Sequence, residues 1–169
     1  LAPDFVWGKC RTTTKTHYVY DTIRGTEKRI EPDNSGVEDT GTNGLYIFQS
    51  DGFKLASGNT ENDDGESYVA WQWKGNGGTT SSNTDGNITT TLQVNSTAGF
   101  SMGTYTGING YKTIGHGLGA IPDLVMIKGR GSNGGAAQYW VVGAPNHTNF
   151  GNSASKHVFL DTTNAVMNN

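Results

Sequence analysis

Short apolar runs of strand length recur along the chain, separated by clusters of Gly, Asn, Asp, Ser and Thr. No segment keeps a helical period of apolar residues over ten positions. The pattern therefore predicts an all-β protein with almost no helix. The predicted strands are FVWGKC, HYVYDT, LYIFQS, GFKLAS, SYVAWQWK, ITTTLQV, FSMGTYT, DLVMIKG, QYWVVG and HVFLDT.

The alternation of residues within these runs predicts which side chains share one face of a strand. In SYVAWQWK, Trp71 and Trp73 fall on one face, opposite Tyr68, so we expect both indoles in the core. Asp51-Gly52 lies between two runs and is a strong signal for a tight hairpin. Short strands joined by Gly-rich turns favour an antiparallel β-sandwich or jelly roll.

The chain repeats part of its own sequence. LAPDFVWGKCR at residue 1 is similar to the later AIPDLVMIKGR, and the two align at a constant spacing of 119 residues. A second pair, HYVYDTIRG and KHVFLDTTN, is also similar, at a larger spacing. We expect residues 1–97 to form the main sandwich, and residues 98–169 either to start a second related repeat or to complete the same sandwich. We also expect residue 1 to be a boundary within a longer repeated array.

Composition and charge exclude several classes of protein. The net charge is -3 with dispersed basic residues, which argues against a nucleic-acid partner. No apolar stretch approaches eighteen residues, so we predict no membrane insertion. Cys10 is the single cysteine and can form neither an intrachain disulfide nor a thiolate zinc site. We expect it to be a half-buried strand residue.

Five segments carry a resemblance to a known family. YVYDTIRGTEKRI, FQSDGFKL, SYVAWQWKG, GFSMGTYTG and TIGHGLGAIPDLVMIK resemble, in this order, repeat domains in structural proteins of marine and other tailed bacteriophages. Those domains are concanavalin A-like, laminin-G-like β-sandwiches of tail fibres and related virion appendages. The resemblance spans most of the chain, from Pro3 to Lys128. One departure is Gln72, where the family commonly has Cys.

This resemblance implies a function. It implies a non-enzymatic virion protein at the tail or capsid surface, extracellular when mature, that binds other virion proteins and copies of itself, with a trimer expected in fibres. It also implies adhesion to a host-surface glycan and no cofactor. The alternative is a capsid decoration or scaffold module that binds no ligand.

The acidic stretch ENDDGES offers a different chemistry. Glu61, Asp63 and Glu66 have the E-x-D-x-x-E spacing that resembles the carboxylate strand of laminarinase-like glycosidases. A retaining glycosidase needs two carboxyl groups about 5 Å apart on a rigid strand. This stretch lacks the apolar residues of such a strand, so glycan hydrolysis is a remote alternative. Glu61, Asp63, Asp64 and Glu66 together also offer oxygen ligands for calcium.

Aromatic residues near Gly-rich loops are the candidates for glycan contacts. Trp140, Tyr105 and Tyr111 are less constrained by alternation than Trp71 and Trp73, and a ring can stack on a sugar face. His116 in IGHGLG has no catalytic partner nearby in sequence, so we expect a structural or solvent-exposed role. His17, His147 and His157 are too dispersed to indicate a metal site.

Overall fold

The computed structural model describes residues 1–40, 44–57, 60–132, 138–145 and 156–168. Every regular element within these ranges is a β-strand, which confirms the all-β prediction. This part of the chain holds no helix that could cross a membrane.

The strands of these ranges follow one another along the whole chain. They are β1 Phe5–Cys10, β2 Tyr18–Asp21, β3 Gly25–Ile30, β4 Leu45–Gln49, β5 Gly52–Leu55, β6 Tyr68–Trp73, β7 Ser81–Asn83, β8 Thr90–Asn95, β9 Phe100–Thr104, β10 Val125–Lys128, β11 Trp140–Gly143, β12 Lys156–Phe159 and β13 Met167–Asn168. All ten predicted strands are present. The alternation of apolar residues missed β3, β7 and β13, because their sequences are short or mostly polar.

The strands form four antiparallel sheets. The first sheet has the order β3-β2-β1-β6, and the second sheet has the order β10-β11-β12-β13. Strands β4 and β5 form a separate hairpin, and β7-β8-β9 form a three-stranded meander. The Asp-Gly signal predicted a hairpin at this place, and a hairpin forms there. Its two loop residues are Ser50 and Asp51, because Gly52 already belongs to β5 and pairs with Gln49.

The first sheet carries a different layer on each face. On one face, Val6, Tyr18, Tyr20 and Leu45 form a buried cluster, with Phe48, Phe53 and Leu55 of the β4–β5 hairpin packed against it. On the other face, Trp140 of β11 packs against Val19 and Ile30. Layers of this kind are consistent with the predicted β-sandwich. The jelly-roll strand order stays a prediction.

The internal repeat has a structural counterpart. Strands β1-β2-β3 and β10-β11-β12 are both antiparallel meanders, so β10 occupies the position of β1, as the repeated Pro-Asp segments predict. HYVYDTIRG forms β2, the second strand of its meander, whereas KHVFLDTTN forms β12, the third strand. The two segments are similar in sequence but lie at different positions in their meanders. Strand order makes β11 the counterpart of β2.

The predicted boundary between residues 97 and 98 lies in a tight turn. Strands β8 and β9 pair directly on either side of it, from Thr91 opposite Thr104 to Asn95 opposite Phe100. The division of the chain into two units stays a prediction.

The first Pro-Asp segment is joined to a distant loop. The Asp4 side chain is buried, and its carboxylate accepts hydrogen bonds from the backbone amides of Gly75 at 2.9 Å, Gly77 at 2.8 Å and Gly78 at 2.7 Å. Gly77 and Gly78 have φ values of 62° and 78°, which few other residues adopt. The hydroxyl of Thr22 donates to the same carboxylate at 3.1 Å. Asp4 therefore fixes the chain as it leaves β6.

Candidate functional site

An aromatic surface covers the β1–β6 half of the first sheet. Trp7 of β1 lies directly opposite Trp71 of β6, and Phe5 lies opposite Trp73. Residues that are paired in this way point to the same face of a sheet. Phe100, at the start of β9, completes the group. We call Phe5, Trp7, Trp71, Trp73 and Phe100 the aromatic face.

The rings of the aromatic face contact one another in two groups. Trp7 and Trp71 meet edge to face, with centroids 6.1 Å apart. Trp73 lies edge to face with Phe5 at 5.4 Å and is stacked nearly parallel to Phe100 at 6.1 Å. Contacts of this kind restrict each ring, so the surface is already ordered before any ligand binds.

Trp71 and Trp73 are half exposed and do not lie in the core. The exposed fractions are 45% for Trp71 and 39% for Trp73, so the sequence-based expectation is wrong. Alternation predicted correctly that the two indoles share a face. It could not show that Trp140 packs on Val19 and Ile30 of β2 and β3, or that β6 is the edge strand of the sheet.

His17 borders the aromatic face. The indole Nε1 of Trp7 donates a hydrogen bond to Nδ1 of His17 at 3.0 Å, and the two rings meet edge to face. Burial lowers the pKa of His17, which favours the neutral imidazole that accepts this bond. The bond therefore holds the Trp7 indole in place at the border of the aromatic face. Sequence reasoning did not include Phe5, Trp7, His17 or Phe100 in a site.

The three predicted glycan contacts lie in different environments. Trp140 is only 6% exposed, and its indole donates to the backbone oxygen of Glu31 at 2.8 Å, so it is a core residue. Tyr105 follows β9 and is 37% exposed, and burial of its ring raises the pKa of the phenol. Tyr111 is fully exposed. Only the two tyrosines are accessible to a ligand.

The carboxylates of ENDDGES point to separate partners. Glu61 accepts hydrogen bonds from the hydroxyl of Tyr20 at 2.8 Å and from Nη1 of Arg29 at 3.2 Å. Asp63 forms an ion pair with Lys15. Asp64 is exposed.

Glu66 also has a partner of its own. It accepts a hydrogen bond from the hydroxyl of Thr12, which lowers the pKa of its carboxyl group.

The described residues contain no cluster of three or more His, Cys, Asp or Glu that could hold a metal. The predicted calcium loop and glycosidase spacing therefore have no shared site in this structure.

Glu61 is almost completely buried, with 1% of its surface exposed. Burial raises the pKa of its carboxyl group, and the hydrogen bonds from Tyr20 and Arg29 oppose that shift. Arg29 also pairs with Glu31 and Asp39, at 3.2 and 2.9 Å. Glu61 thus belongs to a structural network that links β2, β3 and the loop before β6.

IGHGLG lines a shallow cleft of about 640 Å³ together with Asp85 and Gly86. Gly115 approaches Asn83 so closely that a Cβ atom would lie 1.8 Å from its side-chain oxygen. His116 is half buried, and its Nδ1 accepts from the amide of Leu118 at 3.2 Å. His116 therefore orders its own loop, in line with the structural role that we expected.

The other singled-out residues do not form a site. Cys10 is buried in β1, and its Sγ lies 3.2 Å from the hydroxyl of Thr13. His157 lies on β12 and packs edge to face against Phe159. His147 lies outside the described residues.

The aromatic face combines exposed ring surface with rigid support. Its five members are all aromatic, so the face can bind a ligand by stacking and van der Waals contact. Such a surface suits a ligand with flat apolar patches and polar edges.

The comparisons with known proteins concern the whole chain. A search of the curated proteins gave no match, and a search of the solved structures also gave none. Residues 1–169 match the model of a family that is described as "Domain of unknown function (DUF7483)". The match covers every residue of the sequence, and the chain therefore belongs to this family.

Proposed function

We propose that this domain is a non-enzymatic β-sandwich module of a bacteriophage tail fibre or surface appendage, and that it binds a host-surface glycan on the aromatic face. The proposal of a virion protein rests on the sequence resemblance. The proposal of glycan binding rests on one structural observation: Trp71 and Trp73 present about 40% of their surface on a rigid sheet.

Sugar rings suit this surface for a physical reason. One side of a pyranose carries C–H groups that pack on an aromatic ring, while its hydroxyl groups remain at the edge and in water. Residues two apart on a strand lie about 6.6 Å apart, so Trp71 and Trp73 offer neighbouring stacking positions. Several weak contacts of this kind, repeated in an oligomeric appendage, would give high avidity.

A scaffold without ligand binding is the second candidate. The second sheet exposes Met126 at 38% and Ile127 at 39%, and Leu124, which precedes β10, is exposed at 57%. Exposed apolar surface of this kind is typical of contacts between proteins. A low-resolution image of the intact particle would test this candidate, since a scaffold module occupies a symmetric position with its exposed sheet covered by neighbours.

Replacing Trp71 or Trp73 with alanine is expected to weaken glycan binding by about tenfold to thirtyfold, as is usual for a central aromatic contact. The measurement is a binding titration against bacterial lipopolysaccharide and capsular polysaccharides that the unmodified domain binds on an array. Each variant should keep its cooperative thermal transition, because both indoles are already half exposed.

Tyr111→Ala is the matched control, because Tyr111 is an exposed aromatic residue on a loop outside the aromatic face. It should bind as the unmodified domain does. If Tyr105→Ala or Tyr111→Ala abolishes binding and the tryptophan variants do not, the ligand binds at the loops and the assignment to the aromatic face is wrong. If the domain binds none of the host polysaccharides, glycan binding is wrong and the scaffold function is the remaining candidate.

A further inference from the structure

Strand β10 has an open edge. Among the described residues, it pairs with β11 on one side and with no strand on the other. In the first sheet the corresponding edge of β1 is covered by β6 over its full length. The two meanders therefore differ at this edge. In the first copy β6 pairs with β1, whereas no described strand pairs with the equivalent edge of β10.

The open edge of β10 contains no proline and no bulge. Charged side chains, proline or a bulge usually protect such an edge. The strand reads Val-Met-Ile-Lys, and its pairing with β11 has no register shift. The Nζ of Lys128 donates to the backbone oxygens of Asn34 and Gln138, so its charge does not protect the open edge.

Strand β6 has the second open edge. It pairs with β1 on one side and is the last strand of the first sheet. Its final four residues, from Ala70 to Trp73, are all exposed, and the strand contains no proline, charge or bulge. The described part of the chain thus presents two unprotected edges on two different sheets.

The charges beside the two strands match in one orientation. Glu66 precedes β6 and Lys74 follows it, whereas Asp123 precedes β10 and Arg130 follows it. Antiparallel pairing places Lys74 near Asp123 and Glu66 near Arg130. Parallel pairing would bring together charges of equal sign, which is unfavourable across strands.

We propose that the open edge of β10 pairs antiparallel with the open edge of β6 in a second copy of this chain. The first and second sheets of neighbouring copies then form one continuous sheet, and backbone hydrogen bonds supply the contact. The two edges differ, so the association is head to tail and builds a ring or a filament. This inference does not depend on glycan binding.

The test uses variants that each block one edge. Ala70→Lys with Gln72→Lys places two charges along β6 on the face opposite Trp71, and Met126→Lys with Ile127→Lys places one charge on each face of β10. Sedimentation velocity should show concentration-dependent association of the unmodified chain and a monomer for each blocked variant. An equimolar mixture of the two variants should form a dimer and nothing larger, because one intact edge of each kind remains.

Several outcomes would overturn the proposal. They are a monomeric unmodified chain at every concentration, self-association of either blocked variant alone, or a mixture that stays monomeric although both variants melt cooperatively. If the chain is monomeric but binds a glycan, the proposed interface is wrong and the proposed function is not affected.

A charge exchange tests the same contact without altering the strands. Lys74→Glu should weaken self-association by about tenfold, since an attraction across the strands becomes a repulsion. Adding Asp123→Lys to that variant should restore association. If the double variant associates no better than Lys74→Glu alone, these two residues do not face each other and the antiparallel pairing is wrong.

Discussion

Replacing Asp4 with alanine is expected to lower the free energy of unfolding by about 3 to 5 kcal/mol. The variant removes the acceptor for the amides of Gly75, Gly77 and Gly78, and a hydrogen bond to a charged group contributes about 1.5 to 3 kcal/mol. Gly75 is buried, whereas Gly77 and Gly78 are exposed. Some of that cost is recovered where water reaches the loop. Urea unfolding, followed by tryptophan fluorescence, measures the change.

The internal repeat supplies a matched control for this prediction. Asp123 occupies the same place in AIPDLVMIKGR as Asp4 does in LAPDFVWGKCR, but its side chain is exposed. Asp123→Ala should change the free energy of unfolding by less than about 1 kcal/mol. Equal losses for the two variants would show that the buried amide contacts of Asp4 do not stabilise the fold.

The strands could be predicted from the sequence because their signal is local. Alternation and turn residues identified ten strands, and the Asp51-Gly52 hairpin formed as predicted. Strand β3 was missed because GTEKRI has no alternating apolar residues, and its pairing with Val19 and Asp21 defines it instead. A strand that forms mainly through hydrogen bonds to its neighbour needs no alternating apolar residues, so the sequence does not reveal it.

Coverage of each face could not be predicted from the sequence. Phe5 and Trp7 share a face opposite Val6, as the alternation of FVWGKC indicates. Whether another layer covers that face depends on Trp140, which lies more than 100 residues away in the sequence. This contact explains why Trp140 is buried, whereas Trp71 lies on the edge strand β6 and is half exposed, the reverse of what the sequence predicted.

Sequence spacing was a poor guide to the acidic site for a related reason. Glu61, Asp63 and Glu66 are close in sequence, yet each is directed to a partner from another part of the chain, namely Tyr20, Lys15 and Thr12. Spacing describes a site only where a regular strand or helix orients the side chains. The described residues 60–67 form no strand. Glu61 points to β2 and β3, whereas Asp63 and Glu66 contact the loop that contains Thr12 and Lys15.

Replacing Glu61 with alanine is expected to destabilise the domain by about 3 kcal/mol, because Tyr20 and Arg29 lose a buried acceptor. Arg29 keeps Glu31 and Asp39, which places the loss at the lower end of the range for a broken buried ion pair. Glu61→Gln retains an acceptor oxygen for Tyr20 and should cost about 1 kcal/mol or less at neutral pH.

The pH dependence separates the charge of Glu61 from its hydrogen bonds. Burial raises the pKa of this carboxyl group above its usual value of 4.5, so the folded chain binds a proton that the unfolded chain has already lost. The stability of the unmodified protein relative to Glu61→Gln should therefore fall as the pH rises from 4.5 through the raised pKa. Urea unfolding of both proteins across pH 4 to 8 measures this difference. A constant difference, or one that grows as the pH rises, would show that the ion pair with Arg29 outweighs burial.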